Sequence, residues 1–298
     1  MNDRPASIKK AYVIGWPIEH SRSPMIHSYW LDHYNISGSY EKQAVEPAKF
    51  DIFIQSMLNS ESLQGADQRP EEMLIAGANI TVPYKERAFQ LADIVDPMAS
   101  AVQAANTLWI EKGKLFASNT DIYGFSANLD NSISDWARTD SPVAVLGAGG
   151  AARGIIYGLL ERGFDEIRLF NRTHSRAENL AGYFGSQIRV VDWERRSLDI
   201  SNCSLLVNTT SLGMENQPGL EMNLDQLPNF AVVTDLVYVP LKTSLLQQAE
   251  SRQLSTVDGL GMLLHQAVPG FEKWFGQRPT VTSELRGLVI SDLEQSQC

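Results

Sequence analysis

Along the chain, short apolar runs alternate with stretches in which apolar residues recur every three or four positions, which predicts strands alternating with helices. Ala11–Gly15 (A-Y-V-I-G) reads as a buried strand. The S-P pair that follows predicts a helix start, with Ser23 as N-cap and Pro24 in the first helical position. Phe50, Ile54, Met57 and Leu58 fall on one helical face, so Pro47–Leu58 is expected to be an amphipathic helix. Asn59–Glu72 is polar, contains Gly65 and Pro70, and reads as a loop. Leu74–Val82 predicts a strand with Asn79 and Thr81 on one face and Ile80 and Val82 toward the core. Pro83 then opens a helical pattern that runs to Val95. Ala101–Thr107 leads into two short strands turned at Lys112-Gly113, after which Asp121 is expected to cap a helix.

The second half is organised around Val143–Gly154, V-A-V-L-G-A-G-G-A-A-R-G. An apolar strand ends in glycines and a helical pattern begins at once, as in a dinucleotide-binding βαβ unit. Gly147 permits the tight turn and Gly149 lets the backbone approach a pyrophosphate. Amides opening the helix at Gly150 and Ala151 face the phosphates with the favourable end of the helix dipole. Glu166–Phe170 is the expected second strand. Its end carries Asn171-Arg172-Thr173, with Arg176 one turn on, where NAD-binding units usually carry an acid. Guanidinium groups suit a 2′-phosphate, so NADP is favoured; a capping Thr173 flanked by solvated arginines is the plainer alternative. Further strands fit Gln187–Val191, Ser204–Val207, Val232–Val237 and Ser255–Val257, giving six. Asn208–Gly213 and Asp235–Tyr238 follow strand ends, where such sheets bind ligands. Helices are expected over Met262–Phe275 and Pro279–Leu293, packing back on the first half. The fold class is therefore α/β: an N-terminal α/β substrate domain, residues 1–121 with 260–298, plus a doubly wound parallel-sheet, Rossmann-like NADP domain over 122–259.

Composition narrows the function. The chain has 298 residues, 43% hydrophobic and 20% charged, with a formal net charge of -10. That balance, with no long basic run, argues against a nucleic-acid partner. No stretch approaches the roughly 20 apolar residues of a membrane span, and the apolar run near the start is too short for a signal peptide. Cys203 and Cys298 lie far apart, which suggests a reducing compartment; the expected location is cytoplasmic. His20, His27 and His33 invite a metal reading, but positions 27 and 33 do not share a helical face, and no metal site is expected.

Ser21 and Ser23 sit two apart in an extended segment beside a helix start, a candidate carboxylate seat if Ser23 does more than cap the helix. Lys85 falls in the first turn of the helix opened by Pro83, where a cation opposes the helix dipole. A proton-transferring lysine can use that setting; an ordinary surface lysine is the alternative.

Taken in order, S-R-S-P at 21–24, G-A-N-I-T-V-P-Y-K at 77–85, A-N-T at 105–107, N-T-D-x-x-G at 119–124, G-A-G-G-A-A at 147–152, N-R-T at 171–173, N-T-T-S-L-G-M at 208–214 and D-G-L-G-M-L-L-H-Q-A at 258–267 resemble the shikimate dehydrogenase family. The 59–72 loop departs from the family pattern in length and polarity. The resemblance implies reversible NADP-dependent reduction of 3-dehydroshikimate to shikimate, on the route to chorismate and aromatic amino acids. It implies Ser21 and Ser23 for the substrate carboxylate, and Asn79, Thr81, Asn106, Tyr238 and Gln266 for ring hydroxyls and placement. It implies Lys85 and Asp121 as the catalytic pair, and Leu236 and Gly259 near the nicotinamide. A monomer or homodimer is expected. The alternatives are a quinate/shikimate dehydrogenase and a catalytically silent NADP-binding regulator.

Overall fold

The computed structural model describes residues 8–62 and 74–295. The chain divides into two compact units, Met1–Thr120 with Gln266–Cys298, and Asp121–His265.

The first unit is built on a mixed six-stranded sheet. It contains β1 (Lys9–Gly15), α1 (Ser23–His33), β2 (Gly38–Ala44), α2 (Phe50–Ser62), β3 (Leu74–Ile80), α3 (Lys85–Leu91), β4 (Ile94–Val95), α4 (Pro97–Val102), β5 (Thr107–Glu111) and β6 (Lys114–Ser118). The strand order is β2-β1-β3-β5-β6-β4. β1 pairs parallel with β2 and β3, whereas β5 pairs antiparallel with β3 and β6. Lys112 and Gly113 both have positive φ and make the tight turn between β5 and β6. Phe50, Ile54 and Met57 of α2 lie under the sheet with Ile14, Ile80 and Leu108.

Local expectations fail here for identifiable reasons. α2 continues through Ser62, so the expected loop begins later, and its remainder lies outside the described residues. β3 ends at Ile80 and the chain turns at once, Tyr84 N donating to Thr81 O at 2.9 Å. Alternation therefore stops early, and Val82 is 70% exposed rather than facing the core. The helix after Pro83 stops at Leu91, because Asp93 exchanges bonds with Leu115 and draws Ile94–Val95 into the sheet as β4. β2 gave no signal in the sequence, since of its seven residues only Tyr40 is buried.

The second unit holds α5 (Thr120–Ser132), β7 (Val143–Leu146), α6 (Gly150–Glu161), β8 (Ile167–Phe170), α7 (His174–Phe184), β9 (Ile188–Val191), β10 (Leu205–Asn208), β11 (Val232–Asp235), α8 (Ser244–Ser251) and β12 (Ser255–Val257). Its six strands are parallel, in the order β12-β11-β10-β7-β8-β9. This is the doubly wound arrangement, with the order reversing between β7 and β10. Val143, Val145, Ile155, Leu159, Leu169 and Val207 pack on one side of the sheet, and Leu146, Phe170, Leu206, Val233 and Leu246 on the other. Both faces are covered, which is why these strands read as continuous apolar runs.

α9 (Gly259–Phe275) and α10 (Ser283–Gln295) close the chain. Trp274 of α9 donates its Nε1–H to Leu108 O at 2.8 Å, fixing the end of α9 on β5. α10 starts at Ser283 rather than near Pro279. Thr280 instead docks on α1, accepting from Trp30 Nε1 at 3.0 Å and donating to the Tyr34 hydroxyl at 3.1 Å. Among the described residues, no helix is long and apolar enough to cross a membrane.

Candidate functional site

In the first unit, the structure gathers several of the expected residues into one hydrogen-bonded network. Asn79, at the end of β3, is buried. Its Nδ2 donates to Asn106 O and to Thr107 Oγ1, both at 3.1 Å, and its Oδ1 accepts the Tyr40 hydroxyl at 2.6 Å. Asn106 Oδ1 accepts from Thr120 N at 2.8 Å, from Thr120 Oγ1 at 3.1 Å and from Thr107 Oγ1 at 3.1 Å. Asn106 Nδ2 reaches Gln266 Oε1 at 3.4 Å. The side chain of Asn106 thus serves the first amide of α5, and Asp121 lies inside the first turn instead of capping it.

Ser23 is likewise not the cap of α1. Arg22 holds that position, and Ser23 opens the helix with its amide donating to Ser21 Oγ at 3.4 Å. Its side chain is buried and lies near the Tyr40 phenol, where it opposes the rise in pKa that burial causes there. Thr81 and Lys85 are half-buried. Lys85 begins α3 and its carbonyl accepts Ala105 N at 2.8 Å, which ties that helix to the Asn106 segment.

Behind this network lies His27, fully buried in α1. It stacks on Tyr40 at 3.9 Å between ring centroids and on Phe271 at 5.8 Å, with Trp30 and Trp274 at its edges. Burial pushes its pKa down to about 3, opposed by the neighbouring Asn79 amide. Asn79 is close enough to act electrostatically, yet neither ring nitrogen meets hydrogen-bond geometry with any described residue. Among the described residues, no group of three or more His, Cys, Asp or Glu could hold a metal. The groove lined by Met25, Tyr29, His33 and Leu288 contains none of the expected residues.

In the second unit, the glycine turn after β7 is shaped for an anionic ligand. Gly147 has φ +106, and a Cβ there would stand 2.6 Å from Thr209 Oγ1, so the turn requires glycine. At Gly149 and Gly150 a Cβ would meet nothing among the described residues, leaving the amides that open α6 accessible. Ala151 is exposed beside them. Asn171 Oδ1 accepts Ala148 N at 3.0 Å and its Nδ2 donates to Thr173 O at 2.7 Å. That residue fastens the loop after β8 to the glycine turn, and Arg172, Thr173 and Arg176 stand exposed around it. The open amides and nearby guanidinium groups fit a phosphorylated dinucleotide.

A second clasp holds the loops after β10 and β11. The buried carboxylate of Asp235 accepts from Asn208 Nδ2 at 2.9 Å, Val237 N at 3.0 Å and Thr243 Oγ1 at 2.7 Å. Burial pushes Asp235 up to about 6, against the pull of those three donors. The clasp sets the course of Leu236 and the half-buried Tyr238. A Cβ on Gly259 would come within 2.3 Å of Leu236 O, so these two segments touch backbone to backbone.

Asn208 and Asp235 stand in motifs that point only to their segments, and Thr107 and Thr120 lie inside A-N-T and N-T-D with no signal of their own. Tyr40 carried no motif; pairing of β2 with β1 is what brings it in.

Fold and site define an α/β dinucleotide-dependent class with a separate polar binding unit. Residues 13–108 match the shikimate dehydrogenase substrate binding domain, 130–215 the shikimate / quinate 5-dehydrogenase domain and 259–281 the shikimate 5'-dehydrogenase C-terminal domain. The chain is 47% identical to a protein of Brucella canis named shikimate dehydrogenase (NADP(+)), over 97% of this chain and 96% of that one. It superposes on shikimate 5-dehydrogenase from Thermus thermophilus, solved with NADP(H) and shikimate, with a TM-score of 0.77 and 31% identity, covering 98% and 100% of the two chains. Quinate dehydrogenase from Corynebacterium glutamicum, solved with NAD, gives 0.83 and 27%, covering 96% and 99%. The chain belongs to the shikimate dehydrogenase family.

Proposed function

We infer that this chain catalyses the reversible NADP(H)-dependent reduction of 3-dehydroshikimate to shikimate, on the route to chorismate and aromatic amino acids. The observation that carries the reading is the whole-length likeness to an NADP-using shikimate dehydrogenase. The first unit supports it physically. A small polyhydroxylated acid must be held by many short polar groups, and leaving such a group unpaired discriminates strongly against analogues. The Asn79–Asn106–Thr107–Thr120 network supplies such groups, already fixed.

In this reading residues 1–121 with 260–298 hold the substrate and 122–259 the cofactor. Ser21 and Ser23 receive the carboxylate at the start of α1, and Asn79, Thr81, Asn106, Tyr238 and Gln266 place the ring. Gly147, Gly149, Gly150 and Ala151 cradle the pyrophosphate. Asn171, Arg172, Thr173 and Arg176 surround the 2′-phosphate, and Leu236 and Gly259 lie beside the nicotinamide. The bound cofactor supplies the hydride. Lys85 gives its Nζ proton to the carbonyl oxygen as that oxygen becomes an alkoxide, and its charge steadies the developing anion. Asp121 is the carboxylate of the same pair and accepts a hydrogen bond from a substrate hydroxyl. A cytoplasmic location and a monomer or homodimer complete the proposal.

Replacing Lys85 by Ala should lower turnover by roughly 10²–10⁴-fold, with NADP affinity nearly intact by fluorescence titration. Unchanged turnover removes Lys85 from the mechanism. The likeness to quinate dehydrogenase favours one second reading, a dual-substrate enzyme. Steady-state rates with shikimate and quinate, each with NADP and NAD, decide between them; a preference for quinate with NAD would overturn the assignment.

A further inference from the structure

We propose that Tyr40 is a specificity-determining positioning residue: by donating its hydroxyl to Asn79 Oδ1, it helps leave Asn79 able to offer the substrate one acceptor and no donor. The proposal rests on the reading of Asn79 as a substrate contact.

The count of bonds makes the case. A side-chain amide has two N–H donors and two oxygen lone pairs. Both donors of Asn79 are spent, on Asn106 O and Thr107 Oγ1. Asn106 O can only accept, so the amide cannot flip without facing oxygen to oxygen. One lone pair of Oδ1 is taken by Tyr40. What remains is a single lone pair, which only a donor can fill. A ring hydroxyl satisfies it; a ketone or carboxylate oxygen in the same place would meet an oxygen with no hydrogen between them.

Tyr40 is well fitted to keep this arrangement fixed. Its ring lies flat on His27 and against Trp274 at 5.7 Å, within a cluster closed by Phe271. Burial raises the phenol well above its usual pKa, so it remains protonated.

The test is Tyr40→Phe, which removes one oxygen and keeps the stacked ring. Rates are measured with shikimate and with the two deoxy analogues that each lack one non-reacting ring hydroxyl. We expect kcat/KM for shikimate to fall about tenfold, the worth of one good hydrogen bond. KM for NADP should stay within about twofold, since the Tyr40 phenol lies in the first unit. For one analogue kcat/KM should change little, so that wild-type discrimination against it shrinks by about the same tenfold. Equal losses on shikimate and both analogues would mean a structural role only, and no loss would mean none; either result overturns the proposal. Thr107→Val approaches the amide from its other side and frees one Asn79 donor. It should relax the same discrimination, and if Tyr40→Phe does not fold this variant decides alone. Failure of the underlying function is recognised separately, as absence of shikimate oxidation by the unmodified protein.

Discussion

His27 should make the first unit acid-sensitive by an amount that can be worked from its surroundings. The imidazole is fully buried among Tyr40, Phe271, Trp30 and Trp274, with no hydrogen-bond partner for either nitrogen among the described residues. Charging it there would cost more than in water, so its pKa falls from 6.5 to about 3. Below pH 6.5 the unfolded chain takes up a proton that the folded chain refuses, so stability present above that pH is lost as pH falls toward 3. At pH 5 the unfolded histidine is about one and a half units below its pKa, which amounts to about 2 kcal/mol. Hydrogen exchange of α1 and β2 peptides at pH 8 and pH 5, corrected for intrinsic rates, reports this unit separately. His27→Phe keeps the stacking and removes the titration; His27→Leu serves if the larger ring is not accommodated. The expected result is that the wild type loses about 2 kcal/mol more between the two pH values than the variant does. Parallel pH profiles for wild type and both variants would show that His27 titrates normally and would refute the account.

Arg172→Asp should raise KM for NADP by about 10–100-fold, the loss of a charge-assisted contact, while KM for NAD falls or holds; an unchanged KM for NADP would detach Arg172 from the cofactor. Gly149→Ala should leave the melting temperature unaltered, because its Cβ meets nothing among the described residues, yet weaken NADP binding by obstructing the backbone's approach to the pyrophosphate. Binding as tight as wild type would place the phosphates elsewhere. Asp235 works with the opposite sign to His27. Its folded pKa of about 6 lies above the ordinary 3.8, so the stability it contributes at low pH is lost as pH rises through 6, up to about 3 kcal/mol. Asp235→Asn should flatten that loss in the amide protection of β11 between pH 4 and pH 7, and an identical slope would count against it.

The nucleotide unit was legible almost residue by residue, and for a local reason. A parallel strand covered on both faces must be an apolar run, and a turn with φ +106 against Thr209 must be glycine. Such demands act within a few residues and leave a pattern in the chain. The polar unit was less legible. Val82 escapes the alternation because β3 ends at Ile80, before the pattern reaches it. Local pattern points to Ser23 and Asp121 as helix caps, but Ser21 and Asn106 take the amides in question from outside the helices.

By itself, then, the sequence determined the α/β class, the doubly wound sheet with its glycine turn, and the motifs that mark the family. Tertiary structure alone decided which way the Asn79 amide faces, that a tyrosine on a weakly patterned edge strand holds it, and that a histidine beneath is kept uncharged. Those outcomes depend on partners from β2, β3, β5, α5 and α9 meeting in space. Hydrogen-bond capacity is a property of that gathering, and no periodicity along the chain encodes it.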